Sequence, residues 1–273
     1  MGLVINTNVP ALNTSRILRR STLALNKSLE RLSSGLRINR AADDAAGLAI
    51  AEGFRSQVRG TSVAQRNSQD GISLVQTAEG ALSETTNILQ RIRELSVQAA
   101  NGTNSTQNRT DLDTEVQELL EQIDDIANRT EFNGVFPIQA AGTITLQSGF
   151  QQNQTTDVDF TGATTALLNV GAVTVAGADA VNATAAIGLV DAALTSVNTQ
   201  RATLGAIQNR LEFSIATLAI QEENAAASES AIRDANIAAE TIGFTRNQIL
   251  VSAGTSILAQ ANLVPQTALQ LLG

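Results

Sequence analysis

The sequence predicts a mainly α-helical chain: a coiled coil made from its two ends, a bundle of long helices, and a small block of β-hairpins between them. Three observations carry this. Apolar residues recur in alternating steps of four and three near both termini, the spacing that holds one seam along a helix. Aromatic residues are only 3% of the chain, with no Trp or Tyr, so slim contacts between Ala, Leu, Ile and Val must supply the core. Across residues 135–180 the helical period gives way to alternation with period two.

Pro10 suits a helix start, and the residues before it are expected to be extended or frayed. The first helix should reach Ser34, with Gly35 as cap or joint. Its seam reads Ala11, Ser15, Leu18, Thr22, Leu25, Leu29, Leu32 and Leu36. From Asn39 the chain turns Ala-rich and Gly-punctuated, as a spoke between packed regions would. A helix is expected over residues 44–66 although Gly47, Gly53 and Gly60 each weaken it. The next seam, Val75, Ala78, Leu82, Thr85, Leu89, Ile92, Ser96 and Ala99, stops at Asn101-Gly102. Thr110 or Asp111 can cap the following helix, whose seam is Leu112, Val116, Leu119, Ile123 and Ile126 and whose end falls near Arg129. Asn133-Gly134 signals a tight turn.

Thr143–Leu146, Asp157–Phe160 and Ala172–Val175 alternate and read as strands of short hairpins. Helix resumes near Ala185 along Val190, Leu194, Val197, Arg201, Leu204, Gln208, Leu211, Ile215 and Leu218. Arg201 and Gln208 fall on that seam, where polar residues can set register, unless the seam drifts and both are exposed. The terminal helix carries Leu250, Gly254, Ile257, Ala261, Val264, Ala268 and Leu271, with a kink expected at Pro265. The implied division is a terminal coiled coil (1–42 with 233–273), a helical bundle (43–134 with 181–232) and a short β-hairpin region (135–180).

Composition narrows function. Net charge is −8 with a pI near 4.6, which disfavours nucleic-acid binding. Residues 16–40 are basic and residues 222–240 acidic; the two could attract when the ends pair, or could be solvated faces of little consequence. Without Cys or His there are no disulfides, no thiol or imidazole catalysis and none of the usual zinc or copper sites. The carboxylate pairs Asp43-Asp44 and Glu222-Glu223 are adjacent and point apart on a helix, so no catalytic dyad forms. No enzyme activity and no cofactor are expected. No stretch approaches the ~18 apolar residues of a membrane span. The N-terminus lacks a secretory pattern, so an extracellular fate would require export without a cleaved leader. Asn6 stands where a myristoylation motif needs Ser or Thr. A lone helix with an apolar seam is marginal in water, so the terminal seams need partners: each other, further copies, or both.

The stretch Leu32-Ser33-Ser34-Gly35-Leu36-Arg37-Ile38-Asn39, with Ala41-Ala42-Asp43-Asp44-Ala45-Ala46-Gly47-Leu48-Ala49-Ile50, resembles the N-terminal signature of bacterial flagellins. Asn87 to Leu95 with Val97-Gln98, the turn Glu131-Phe132-Asn133-Gly134, and Arg233 to Ala238, Gln248 to Leu250 and Ile257 to Asn262 are similar to later blocks of that family. The likeness covers about residues 3–135 and 190–272, and the middle is too short for the outer domains of larger relatives. The resemblance implies a filament subunit secreted through the flagellar type III channel and polymerised beneath a cap. The implied partners are identical copies, an export chaperone, and hook-associated and cap proteins, with no membrane insertion. Filament-core assembly would rest on Leu18, Leu25, Leu29, Leu32, Leu36, Leu250, Ile257, Val264 and Leu271. Gln90, Arg91, Leu95, Gln98 and Glu115 match the motif through which flagellins engage toll-like receptor 5, although subunit packing alone would also explain them. The alternatives are a hook–filament junction protein and an adhesin on the same scaffold; residues 135–180 offer the latter only Phe136, Phe150 and Phe160 as sugar platforms.

Overall fold

The computed structural model describes the backbone of residues 7–270 and the side chains of residues 7–263. Its elements run α1 (Val9–Ser34), α2 (Ala45–Ala99), α3 (Thr106–Arg129), β1 (Gly142–Gln147), β2 (Thr155–Phe160), α4 (Val181–Arg233) and α5 (Ile237–Gln270). The chain forms two compact units, residues 1–56 with 224–273 and residues 57–223. Three helices precede the hairpin where four were expected, because the segments over 44–66 and 75–99 are one 55-residue helix. Its glycines do not interrupt it. Gly71 lies under Leu146 and Gly60 under Phe150, so the missing side chains let the hairpin sit directly on α2.

In the 57–223 unit, α2 and α4 run antiparallel, tied by Gln65–Glu222, Arg201–Glu79 and Arg93–Asp191 contacts. Every residue of the expected α2 seam, Val75 through Ala99, is buried. The hydroxyls on that seam do not need partners elsewhere: Thr85 and Ser96 donate to the carbonyls of Ala81 and Ile92 one turn back. On α3 the buried apolar positions are Val116, Leu120, Ile123 and Ala127, while Leu112, Leu119 and Ile126 are half-buried at the edge. On α4 the seam is Val190, Ala193, Val197, Gln200, Leu204, Leu211 and Leu218. Arg201 and Gln208 stand beside it, pairing with Glu79 and Glu212. The buried polar residue is Gln200, whose Oε1 accepts from Thr161 at 2.5 Å.

Three local expectations are corrected. The cap of α3 is Ser105, whose side chain accepts from Asn108 N; Thr110 and Asp111 lie inside the helix, because its polar first turn gives no apolar signal. One hairpin forms, with Ile144 opposite Val158 and Leu146 opposite Thr156. The third alternating segment is not a strand. It lies along α3, with Val173 and Val175 buried, and side chains of α3 replace the ladder: Asp113 accepts from Val175 N and Thr174 Oγ1, and Gln117 donates to Val173 O.

In the unit formed by the two ends, α1 and α5 run antiparallel, with Asn8 reaching Ala261 O, Leu18 against Gly254, Ser28 against Gly243 and Arg31 near Glu240. Asn8 caps α1, and Gly35 closes it at φ 72°. Helix α5 continues past Pro265 to Gln270. A polar knot joins the neighbouring helix ends. Arg37 N donates to Arg233 O at 2.6 Å, Ala235 N to Gly35 O at 2.9 Å, and the Arg37 side chain to Ile232 O. The loop after α1 folds back on it: Lys27 Nζ lies 2.7 Å from Asp43 Oδ1, and Glu30 accepts from Asn39 and Arg40. The Lys27 ammonium, then the Arg40 and Asn39 N–H groups, hold the Asp43 carboxyl down at about 2 from its ordinary 3.8. A depressed carboxylate pKa stabilises the fold above the unfolded value and loses that contribution as pH falls through the folded one. In a titration followed by NMR under conditions where α1 is helical, Asp43 is therefore expected to protonate near 2, with the 39–43 loop releasing there and not at 3.8. Asp43→Asn should remove this step; a midpoint at the ordinary value would refute the contact.

Candidate assembly surfaces

The seam between α1 and α5 is built from small and polar residues as much as from leucine. On α1 it follows Ala11, Thr14, Leu18, Ser21, Leu25, Ser28 and Leu32; on α5 it follows Gly243, Phe244, Asn247, Val251, Gly254, Leu258 and Ala261. Such residues permit close approach but bury little apolar area. Only Ser21 and Ser28 of α1 are buried, and among the described residues of α5 none is.

The expected core-assembly positions therefore divide. Leu18, Leu25, Leu32 and Leu36 are half-buried. Leu29 is 56% exposed, because the true seam passes through Ser28 beside it. Leu250 and Ile257 are also exposed, the seam running through Val251 and Leu258, one position later. The side chain of Val264 and all of Leu271 lie outside the described residues.

Further apolar residues stand in water on the opposite sides of both helices. Val9, Leu12 and Leu23 project from α1 roughly half a turn away from its seam. Ile242, Ile249 and Leu263 do the same on α5, and Thr241, Ile242, Thr245, Arg246, Ile249 and Leu250 form a shallow groove. The sequence reading missed this second stripe on each helix. The signal was available: Leu12 and Leu23 stand 11 residues apart, and Ile242 and Ile249 seven, both near whole numbers of helical turns. Arg16, Arg19 and Arg20 are exposed on the same side of α1 and enter no described ion pair with an acid. Of the basic and acidic terminal segments, only Arg31 and Glu240 meet across the α1–α5 pair.

The second surface lies on α2 and α3. Gln90, Arg91, Gln98 and Glu115 are exposed, and Arg91 bridges Glu115 at 2.8 Å and Glu94 at 3.2 Å. Hydrogen bonding to Glu115, then to Glu94, raises the guanidinium pKa. Leu95 does not share this surface. It is 1% exposed, packed in the core next to Ser96, so it supports the patch from beneath and offers no apolar anchor. Arg109 fixes the end of the same helix. It is buried without a carboxylate and donates to the carbonyls of Ala99 at 3.0 Å, Asn101 at 3.3 Å and Ala178 at 2.7 Å. A cation at a helix C-terminus is favoured by the helix dipole.

The two arginines should behave differently. Arg91→Ala removes an exposed, solvent-screened pair, and its loss in urea unfolding should be small. Arg109→Met leaves three carbonyls without their donor, at ~1–3 kcal/mol for each that stays dry. Equal losses would mean that the buried contacts of Arg109 are replaced by water.

Among the described residues, no group of three acidic side chains could hold a metal ion, and no helix is long and apolar enough to cross a membrane. The family description of the bacterial flagellin N-terminal helical region matches residues 5–143, and that of the C-terminal helical region matches residues 187–272. The chain is 46% identical over 271 residues to a flagellin of Halalkalibacterium halodurans, covering 99% of this chain and all of that one. It is 43% identical over 288 residues to the flagellar filament 31.3 kDa core protein of Treponema maltophilum, covering 99% of this chain and all of the relative. The crystal structure of Bacillus cereus flagellin is similar at 33% identity and a TM-score of 0.48, covering 56% of this chain and 88% of that one. With both end regions matched in order and relatives aligned over their full length, the chain belongs to the bacterial flagellin family.

Proposed function

We propose that this chain is a structural subunit of the flagellar filament, completed only by polymerisation. The observation that carries the proposal is the second apolar stripe on both α1 and α5. A two-helix pair has already used one face of each helix, yet Leu12 remains 64% exposed and Ile249 63% exposed. Ordering a residue costs about 1–2 kcal/mol of backbone entropy, which the small-residue seam alone does not offset. Neighbouring copies would cover the outer stripes, and a head-to-tail contact that does not close on itself gives a helical filament. In the free subunit α1 and α5 are then frayed, a state suited to passage through a narrow export channel. On this reading the subunit leaves through the type III route, escorted by a chaperone, joins the filament outside the cell beneath the cap, and follows the hook-associated proteins. On the same reading the terminal coiled coil supplies the contacts of the filament core.

Leu23→Glu and Ile249→Glu should each abolish seeded polymerisation, scored by electron microscopy, while the helices of residues 57–223 keep their circular dichroism. Hydrogen exchange should find residues 11–34 and 245–263 unprotected in the monomer and protected in the filament. Normal filaments from either variant would remove the outer stripes from the assembly contact.

The exposed Gln90, Arg91, Gln98 and Glu115 form the surface proposed to meet toll-like receptor 5, with Leu95 positioning it from below. Arginine at the centre of a mixed patch is a frequent hot spot. In a receptor reporter assay Arg91→Ala should lower activation by about tenfold or more. An unchanged response would dismiss Arg91 as a contact.

A further inference from the structure

We propose that Asn101 is a site of spontaneous covalent ageing, converted without an enzyme to aspartate or isoaspartate in preference to the chain's other Asn-Gly pair. The sequence contains two such pairs, Asn101-Gly102 and Asn133-Gly134, both in exposed turns. Glycine follows each asparagine, so no side chain hinders attack of the next backbone nitrogen on the amide carbon. Local sequence alone would make the two alike. Their hydrogen bonds make them different.

At the first pair, Asn101 Oδ1 accepts from Thr103 N at 3.2 Å. That donor polarises the amide carbonyl and is placed to share the negative charge that develops on Oδ1 during attack. The Gly102 N–H makes no hydrogen bond among the described residues, which leaves it open to deprotonation by solvent. At the second pair the roles reverse. Gly134 N donates to Glu131 Oε1 at 3.0 Å, so the would-be nucleophile is occupied, and the adjacent carboxylate opposes formation of an amide anion. Paired hydrogen bonds between Phe132 and Val135 at 2.8 and 3.0 Å fasten that turn, with Asn133 at φ 50° and Gly134 at φ 81°.

The chemistry needs only water. Gly102 N loses its proton to solvent and bonds to Asn101 Cγ; the Cγ–Nδ2 bond breaks, and ammonia leaves carrying a proton. Water then opens the five-membered imide at one carbonyl to give aspartate, or at the other to give isoaspartate. Either product places a carboxylate beside the buried Arg109, whose Nη2 holds the Asn101 carbonyl at 3.3 Å. Isoaspartate also inserts a methylene into the main chain between the Gln98 and Arg109 contacts. The turn between α2 and α3 thus records the age of the subunit, next to the exposed Gln98.

The purified chain, incubated in mildly alkaline buffer and mapped by peptide mass spectrometry, should gain one mass unit at Asn101 about tenfold faster than at Asn133, in line with the effect of one well-placed oxyanion donor reduced by solvent exposure. In guanidinium chloride the two rates should converge. Thr103→Pro, which deletes the donor, should bring the Asn101 rate down towards that of Asn133, and Glu131→Ala should raise the latter. Equal rates in the folded chain, a faster Asn133, or a preference that persists unchanged in denaturant would each overturn the proposal.

Discussion

The size of the residue placed on a helical seam governs this molecule. The same alternation of three and four runs along every long helix, but it is filled in two ways. In the 57–223 unit the seams of α2, α3 and α4 carry Leu, Ile and Val at most turns, and Leu82, Leu89, Ile92, Ile123, Leu204 and Leu211 are fully buried. Each such side chain contributes about 1.5–3 kcal/mol on burial. In the α1–α5 pair the seam alternates leucine with Ser, Thr, Gly and Asn. The helices approach closely, yet large apolar groups remain outside. One unit thereby buries its large apolar side chains within itself, and the other leaves many of them exposed.

Most polar groups inside the 57–223 unit are satisfied locally. The hydroxyls of Thr85 and Ser96 bond to their own helix, and Asp113, Gln117 and Asp124 bind the backbone of the segment after the hairpin, whereas Thr61 Oγ1 and Gln200 Nε2 are buried without a partner among the described residues. Arg109 closes the α2–α3 turn with carbonyl oxygens alone. These contacts let an irregular stretch lie buried against α3 without a sheet ladder, which is how so small a β block supports so long a bundle.

Charge is divided between the units as apolar surface is. Residues 1–56 with 224–273 hold ten Lys and Arg against seven Asp and Glu, and residues 57–223 hold eight against nineteen. Like-charged bundles repel one another, whereas the terminal pair carries less net charge and more exposed apolar surface. The basic side of α1, with Arg16, Arg19 and Arg20, lies among the outer apolar stripes, and the long arginine stems add to the apolar surface while their heads stay wet.

The sequence by itself determined the helical class, the seam positions between Val75 and Ala99 on α2, the two real strands, the turn at Asn133-Gly134 and the flagellin family. Each rests on local periodicity or an ordered motif, and neither depends on what packs against it. Tertiary structure decided where a neighbour selects between adjacent residues. Helices flanked on two sides turn Leu120, Ala193 and Gln200 inward in place of Leu119, Leu194 and Arg201, and the α1–α5 contact selects Ser28, Val251 and Leu258 over Leu29, Leu250 and Ile257. It decided that Gly60 and Gly71 seat the hairpin on an unbroken helix, because only the fold shows what a glycine makes room for. It also turned Leu95 into the core while leaving Arg91 outside, since four residues along a helix exceed a full turn by ~40°, enough at the edge of a seam to separate a buried position from an exposed one.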